Sequence, residues 1–92
     1  MEFDISLGCQ KALGRIKRKD TKLFKAISQK LLQFGLNPQH PSLRLHKLQG
    51  ELQSVWSISI TRSIRMVLYY REVLGEKRAT FISVGTHKEV YK

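Results

Sequence analysis

The apolar positions of this chain follow two different periods. Between Thr21 and Gly35, the residues Phe24, Ile27, Leu31 and Phe34 recur at helical spacing and form one stripe. That spacing predicts an amphipathic helix, with Gly35 placed where a left-handed C-cap is easiest. Upstream, Leu13 and Ile16 share one face of a shorter helix predicted over Leu7 to Lys17. The stretch "RKDT" interrupts it, and Asp20 or Thr21 suits the start of the next helix by accepting an unpaired backbone N–H. Before both, "EFDIS" alternates briefly in the manner of a short strand, and after them "LNPQHPS" predicts a loop with two prolines. From Leu43 onward the period is two. In "SVWSISIT", Trp56, Ile58 and Ile60 alternate with Ser57, Ser59 and Thr61. In "IRMVLYYRE", Ile64, Met66 and Leu68 alternate with Arg65, Val67 and Tyr69. "LGEK" predicts a turn and "RATFISVG" a last strand.

This order predicts an α+β fold, with two N-terminal helices packed on one face of a small, mainly antiparallel sheet of four to five strands. Ninety-two residues suit a single domain, 1–92. Only one face of the sheet is then covered by helices. The other is left open.

Composition narrows the setting. The chain is 41% hydrophobic and 26% charged, as expected of a globular domain, and its longest apolar runs are too short to span a membrane. The opening "MEFDISLG" is acidic, unlike a secretory or transit peptide, so a cytoplasmic location is expected. A single cysteine, Cys9, excludes an internal disulfide and a multi-cysteine zinc site, and reads as a small buried apolar residue. Nothing resembles a metal site, a nucleotide-binding loop, or a serine or cysteine nucleophile, so no cofactor is expected.

Charge adds a partner class. Seventeen Lys and Arg against seven Asp and Glu give a net +10, a field that attracts polyanions. Residues 1–50 carry +7 of it and residues 51–92 the remaining +3. The densest stretch, "RIKRKDTKLFK", holds Arg15, Lys17, Arg18, Lys19, Lys22 and Lys25. It suits a phosphate-binding surface, or equally a helix corner kept solvated by lysine.

Strand parity sorts the remaining chemistry. Side chains alternate across a strand. With Leu43 and Leu45 directed to the helices, Arg44 and His46 face away from them. With Ile64, Met66 and Leu68 in the core, Arg65, Tyr69 and Arg71 face outward. With Ile82 and Val84 inside, extension past Gly85 puts His87 outward as well. A bulge at Gly50 or Gly85 would invert these assignments. Two histidines and several arginines on one surface are suited to metal-free RNA cleavage. That reaction needs a base for the 2′-hydroxyl proton, an acid for the leaving 5′-oxygen, and a cation on the phosphate. Each residue also has a plainer use. His40 reads as a loop residue, Arg65 as a partner for Glu72 or Glu76 across the sheet, Trp56 as core, and Tyr91 as packing for the chain end.

The segments "HPSLRLHKLQG", "WSISITRSIRMVLYY" and "FISVGTHKEVY" together resemble the RelE/ParE superfamily of toxins from type II toxin–antitoxin modules. "WSISITRSIR" is closest to YoeB-like members and "GTHKEVY" to YafQ-like ones. The resemblance implies a RelE-like fold and a ribosome-dependent mRNA endonuclease that cuts in the ribosomal A site by 2′-hydroxyl attack. It implies a cognate antitoxin with an acidic, partly disordered segment, and the ribosome and mRNA as further partners. Carried over by position, His46 resembles the general base, Arg65 the arginine on the scissile phosphate, His87 the acid, and Tyr91 a terminal aromatic on the base or phosphate. Arg44, Lys47 and Arg62 match loosely the cations on which RelE-type members rely. A further histidine and an aspartate of YafQ-like members fall near Ile60 and Ile64, so the division of proton roles stays open. ParE-type members share the fold but inhibit DNA gyrase and lack the histidine and aromatic of the closing segment. A gyrase inhibitor and a non-catalytic nucleic-acid-binding module are the alternatives.

Overall fold

A computed structural model of the chain describes residues 1–48 and 55–90. The elements are β1 (Phe3–Ile5), α1 (Leu7–Lys19), α2 (Thr21–Leu36), a 3-10 turn (Pro41–Leu43), β2 (His46–Lys47), β3 (Val55–Ser59), β4 (Ile64–Val73), β5 (Glu76–Thr86) and α3 (His87–Val90). The strands form one five-stranded sheet in the order β1-β5-β4-β3-β2. β1 runs parallel to β5, and the other pairs are antiparallel. The predicted α+β architecture is therefore observed, with the two helices carrying the chain from the β1 edge of the sheet to the β2 edge.

The helices meet at a single residue. Ser6 caps α1 by accepting the Cys9 N–H at 3.2 Å. Asp20 closes α1 and opens α2, its carboxylate accepting the Leu23 N–H at 3.0 Å. α1 runs two residues beyond the expected Lys17, because only Asp20 breaks the helical geometry. Cys9 and Leu13 bury the inner face of α1, while Ile27 and Phe34 bury that of α2. Phe24 and Leu31, the other two members of the stripe, pack partly buried against the same core. Burial raises the Cys9 thiol to about 11, so this cysteine stays protonated and inert.

Gly35 is not the C-cap. α2 continues through it to Leu36, and Asn37 ends the helix in an extended conformation (φ −157°). The glycine instead admits the N-terminal strand. A Cβ there would touch the Phe3 ring at 3.6 Å and the Met1 carbonyl at 3.7 Å, and the Met1 amine donates to the Gly35 carbonyl. Phe3, Phe34 and Phe81 then meet edge to face, with centroids 5.1–5.9 Å apart. This cluster fastens β1, α2 and β5 to one another.

Three local departures set the outer face. Leu43 is fully buried in the 3-10 turn rather than in a strand, and Arg44 then takes a left-handed conformation (φ 49°), so strand pairing begins at His46. β4 and β5 join through Leu74 (φ 53°) and Gly75 (φ 80°), a two-residue turn whose positive φ values match the twist of the hairpin. A bulge opposite Val67 and Leu68 makes Ile82 the extra residue of β5. Ile82, expected inside, is thus turned outward at 38% exposure, while Phe81 and Val84 both reach the core side. The inversion occurs at Ile82 rather than at Gly85; Gly50 lies outside the described residues.

Candidate phosphate-binding cleft and its flanking histidines

The face of the sheet turned away from the helices has two charged ends of different kinds. At one end, Arg71 and Arg78 are cross-strand partners, two like charges placed opposite each other. Asp4, from the neighbouring β1, resolves the repulsion. Its carboxylate accepts Arg78 Nη2 at 2.9 Å and Nε at 3.2 Å, and Arg71 Nη2 at 3.2 Å, while Glu2 takes Arg78 Nη1 at 3.2 Å. Hydrogen bonds from Arg78 and then Arg71 hold the Asp4 carboxyl below its usual value. Arg71, predicted on this face, is accordingly occupied in tying β1 to the sheet.

At the other end the arginines meet no carboxylate among the described residues. A cleft of about 400 Å³ is lined by Ser42, Arg44, Ser59, Ile60, Thr61, Arg62 and Arg65. Its cations come from three segments. Arg44 is presented by the left-handed turn after Leu43. Arg62 sits in the bend between β3 and β4, where the Thr61 hydroxyl accepts the N–H groups of Ser63 (3.3 Å) and Ile64 (3.1 Å). Arg65, half-buried on β4, donates from Nη1 to the Ser59 hydroxyl at 3.2 Å and forms no ion pair among the described residues. Neither Glu72 nor Glu76 reaches it, since Glu72 pairs with Lys77 and Glu76 with Val73 at the far end of the hairpin. Three guanidiniums and three hydroxyls line one cleft, groups whose chemistry suits phosphate oxygens.

His46 lies on the same face. It pairs with Ser57, and Ser59, two residues on, pairs with Arg65. Two strand spacings of about 4.8 Å and two rises of about 3.4 Å put the His46 and Arg65 backbones roughly 12 Å apart. An imidazole, a phosphate and a guanidinium fill such a span. His46 Nδ1 lies 2.9 Å from the Arg44 carbonyl oxygen. A carbonyl can only accept, so Nδ1 carries the hydrogen and Nε2 is the atom able to take a proton. His40 differs: its Nδ1 accepts the Ser42 N–H at 3.1 Å and so holds the 3-10 turn, the loop role expected of it.

His87 is exposed at the start of α3. Gly85, two residues before it, is the cross-strand partner of Arg65, so His87 stands no more than about 13 Å from that arginine by backbone reach. Tyr91 lies outside the described residues. Lys47 pairs with Trp56 and belongs to the helix side of the sheet, away from the cleft. Arg15, Lys17, Arg18, Lys19, Lys22 and Lys25 are all exposed around the Asp20 corner, and Lys17 lies 5.5 Å from the centre of the Phe24 ring. The hydroxyls of Ser42, Ser59 and Thr61 are additions to the expected site. Ser59 and Thr61 were foreshadowed by the polar half of the "WSISIT" alternation, whereas Ser42 joins through the 3-10 turn, which carries no such periodic signal.

Solved structures share this chain path. They include a YoeB/ParE toxin from Agrobacterium tumefaciens, at TM-score 0.76 and 21% identity, covering 95% of this chain and 99% of that one. The YoeB dimer from Staphylococcus aureus matches at TM-score 0.69 and 20% identity, covering 95% and 97%. The DinJ–YafQ complex of E. coli matches at TM-score 0.63 and 18% identity, covering 99% and 98%. This chain has the YoeB/YafQ toxin fold. No family model and no curated protein matches the sequence. Coverage is nearly complete in both directions, so the shared fold spans 95–99% of this chain. Among the described residues no helix is long and apolar enough to cross a membrane.

Proposed function

We propose that this protein is the toxin of a type II toxin–antitoxin pair and acts as a ribosome-dependent mRNA endonuclease. The observation that carries the reading is the Arg44–Arg62–Arg65 cleft, which no carboxylate lines among the described residues, flanked on one side by His46 with its Nδ1 hydrogen committed to a carbonyl. In the proposed reaction His46 Nε2 removes the 2′-hydroxyl proton, and that oxygen attacks the adjacent phosphorus. The bond to the 5′-oxygen breaks, and His87 supplies a proton to the leaving oxygen. Products are a 2′,3′-cyclic phosphate and a 5′-hydroxyl. Arg65, with Arg44 and Arg62, holds the non-bridging oxygens as charge builds on them. The step needs only side chains of this chain. Tyr91 is assigned to stacking on a base.

The exposed basic corner from Arg15 to Lys25 is assigned to ribosomal RNA, with Lys47 as a further contact. The antitoxin is expected to present an acidic amphipathic segment that orders on binding and offsets part of the +10 charge. Leu32 and Leu36, exposed one turn apart on α2, are apolar surface for it to cover. Solved YoeB–YefM and DinJ–YafQ complexes of the same fold support a partner of this class. The work of both toxin and antitoxin is assigned to the cytoplasm.

Expression of the wild type and of His87→Ala, followed by mapping of mRNA 5′ ends, tests the reading. Cuts inside translated codons that vanish in the variant are the expected result. Growth arrest with intact mRNA would shift the assignment to gyrase inhibition, and an absence of any phenotype would leave a basic binding domain.

A further inference from the structure

The segment after β5 is organised around a reciprocal cap. The Thr86 N–H donates to Glu89 Oε1 at 2.7 Å, and the Glu89 N–H donates to Thr86 Oγ1 at 3.3 Å. This is a capping box, a threonine followed three residues later by a glutamate, each closing the other's backbone donor. His87 is the residue immediately inside it. A four-residue helix has little stability of its own, since the first turn fixes several dihedral angles for one hydrogen bond. Its conformation therefore depends on the box and on what the box packs against. Gly85 supplies the second half of the arrangement. A Cβ at Gly85 would stand 2.8 Å from Glu89 Oε1 and 3.1 Å from Glu89 Cβ, so any side chain there displaces the carboxylate from the Thr86 N–H. Gly85 is also the cross-strand partner of Arg65. One short segment thus joins the phosphate-binding arginine to the backbone of His87.

We infer that Thr86 and Glu89, with Gly85 leaving room for them, are positioning residues that hold His87 at the scissile phosphate. The inference rests on the endonuclease reading above and extends it to residues that touch neither RNA nor the reacting atoms. In the cap, Glu89 acts as the acceptor of the Thr86 N–H, a bond that a glutamine amide oxygen also makes. Its effect reaches the reaction only through the imidazole of His87.

The test is a double-mutant cycle on single-turnover cleavage of a defined mRNA by purified protein on programmed ribosomes. Glu89→Ala is expected to slow cleavage about five- to tenfold, with ribosome affinity unchanged. Glu89→Gln is expected to stay within about twofold of wild type, because its amide oxygen still accepts the Thr86 N–H. Gly85→Ala, which keeps the glutamate but displaces its carboxylate from the Thr86 N–H, is expected to match Glu89→Ala. In a His87→Ala background, Glu89→Ala should cost nothing further. An equal loss in both backgrounds, or a Glu89→Gln as slow as Glu89→Ala, would overturn the positioning role while leaving the nuclease intact. No cleavage by the wild type on any programmed codon would overturn the endonuclease reading and this inference with it. Hydrogen exchange at the Thr86 amide reads the cap directly. Protection equal in wild type and Glu89→Ala would also overturn the inference.

Discussion

Removing the Arg65 guanidinium is the perturbation that bears most directly on the cleft. In the proposed reaction a phosphate diester, already carrying one negative charge, gains about one more at the transition state. A guanidinium about 4 Å from that charge contributes roughly 4 kcal/mol at an effective dielectric of about 20. Arg65 is half-buried, and Arg44 and Arg62 remain in the cleft to take up part of the loss. A differential of about 3 kcal/mol is therefore expected, or roughly a hundredfold in rate. Arg65→Lys keeps the charge but not the planar fork, and is expected to lose about tenfold. The structural cost is separate and small. Arg65→Ala deletes the hydrogen bond to Ser59, about 1 kcal/mol, or a fall of about 4–8 °C in Tm for a domain of this size. Single-turnover cleavage on programmed ribosomes, with melting by circular dichroism as the control, separates the two effects. An Arg65→Ala protein that folds, binds ribosomes and cuts within threefold of wild type would refute the placement of Arg65 on the scissile phosphate.

Three other outcomes are expected. Reversing Lys17, Arg18 and Lys19 to glutamate lowers the net charge from +10 to +4. Ribosome affinity should fall at least about tenfold with a shallower salt dependence, and equal co-sedimentation with wild type would remove the basic corner from the interface. Asp4→Asn should destabilise the fold at neutral pH, since it leaves Arg71 and Arg78 opposed with only Glu2, on Arg78, to offset them. The Asp4 carboxyl is depressed in the folded state, so its contribution is complete above the ordinary carboxylate range and is lost as pH falls through the depressed value. Melting curves of the two proteins should thus converge at strongly acidic pH, and a difference that persists there would assign the effect to packing. Leu74→Asn should raise stability by about 0.5–1 kcal/mol. Leu74 is fully exposed at positive φ, so it packs against nothing and strains the turn, whereas asparagine tolerates that conformation. A lower Tm in that variant would show that Leu74 has a contact in solution.

Much of the molecule is local and was therefore readable along the chain. The 3.6-residue stripe of Phe24, Ile27, Leu31 and Phe34 predicts α2, and the alternation from Trp56 onward predicts strands with a serine and arginine face. Asp20 is a helix cap in any fold that places a helix after it, because its carboxylate serves a donor three residues away. Even the capping box of Thr86 and Glu89 is written as threonine and glutamate three apart, although the short helix it governs has no apolar period to announce it. Other features arise only when distant segments meet. Val84 and Phe81 both face the core because β5 is paired with β4 through a bulge, and neither strand alone specifies which residue is extra. Arg71 and Arg65 have the same parity on the same strand. One is neutralised by Asp4, 67 residues away, and the other is left in a cleft with Arg44 and Arg62. Period depends on a few adjacent side chains, so sequence alone determines the elements and their faces. Whether a charge is paired or poised depends on what another strand brings within a few ångströms, and that was decided by the tertiary structure.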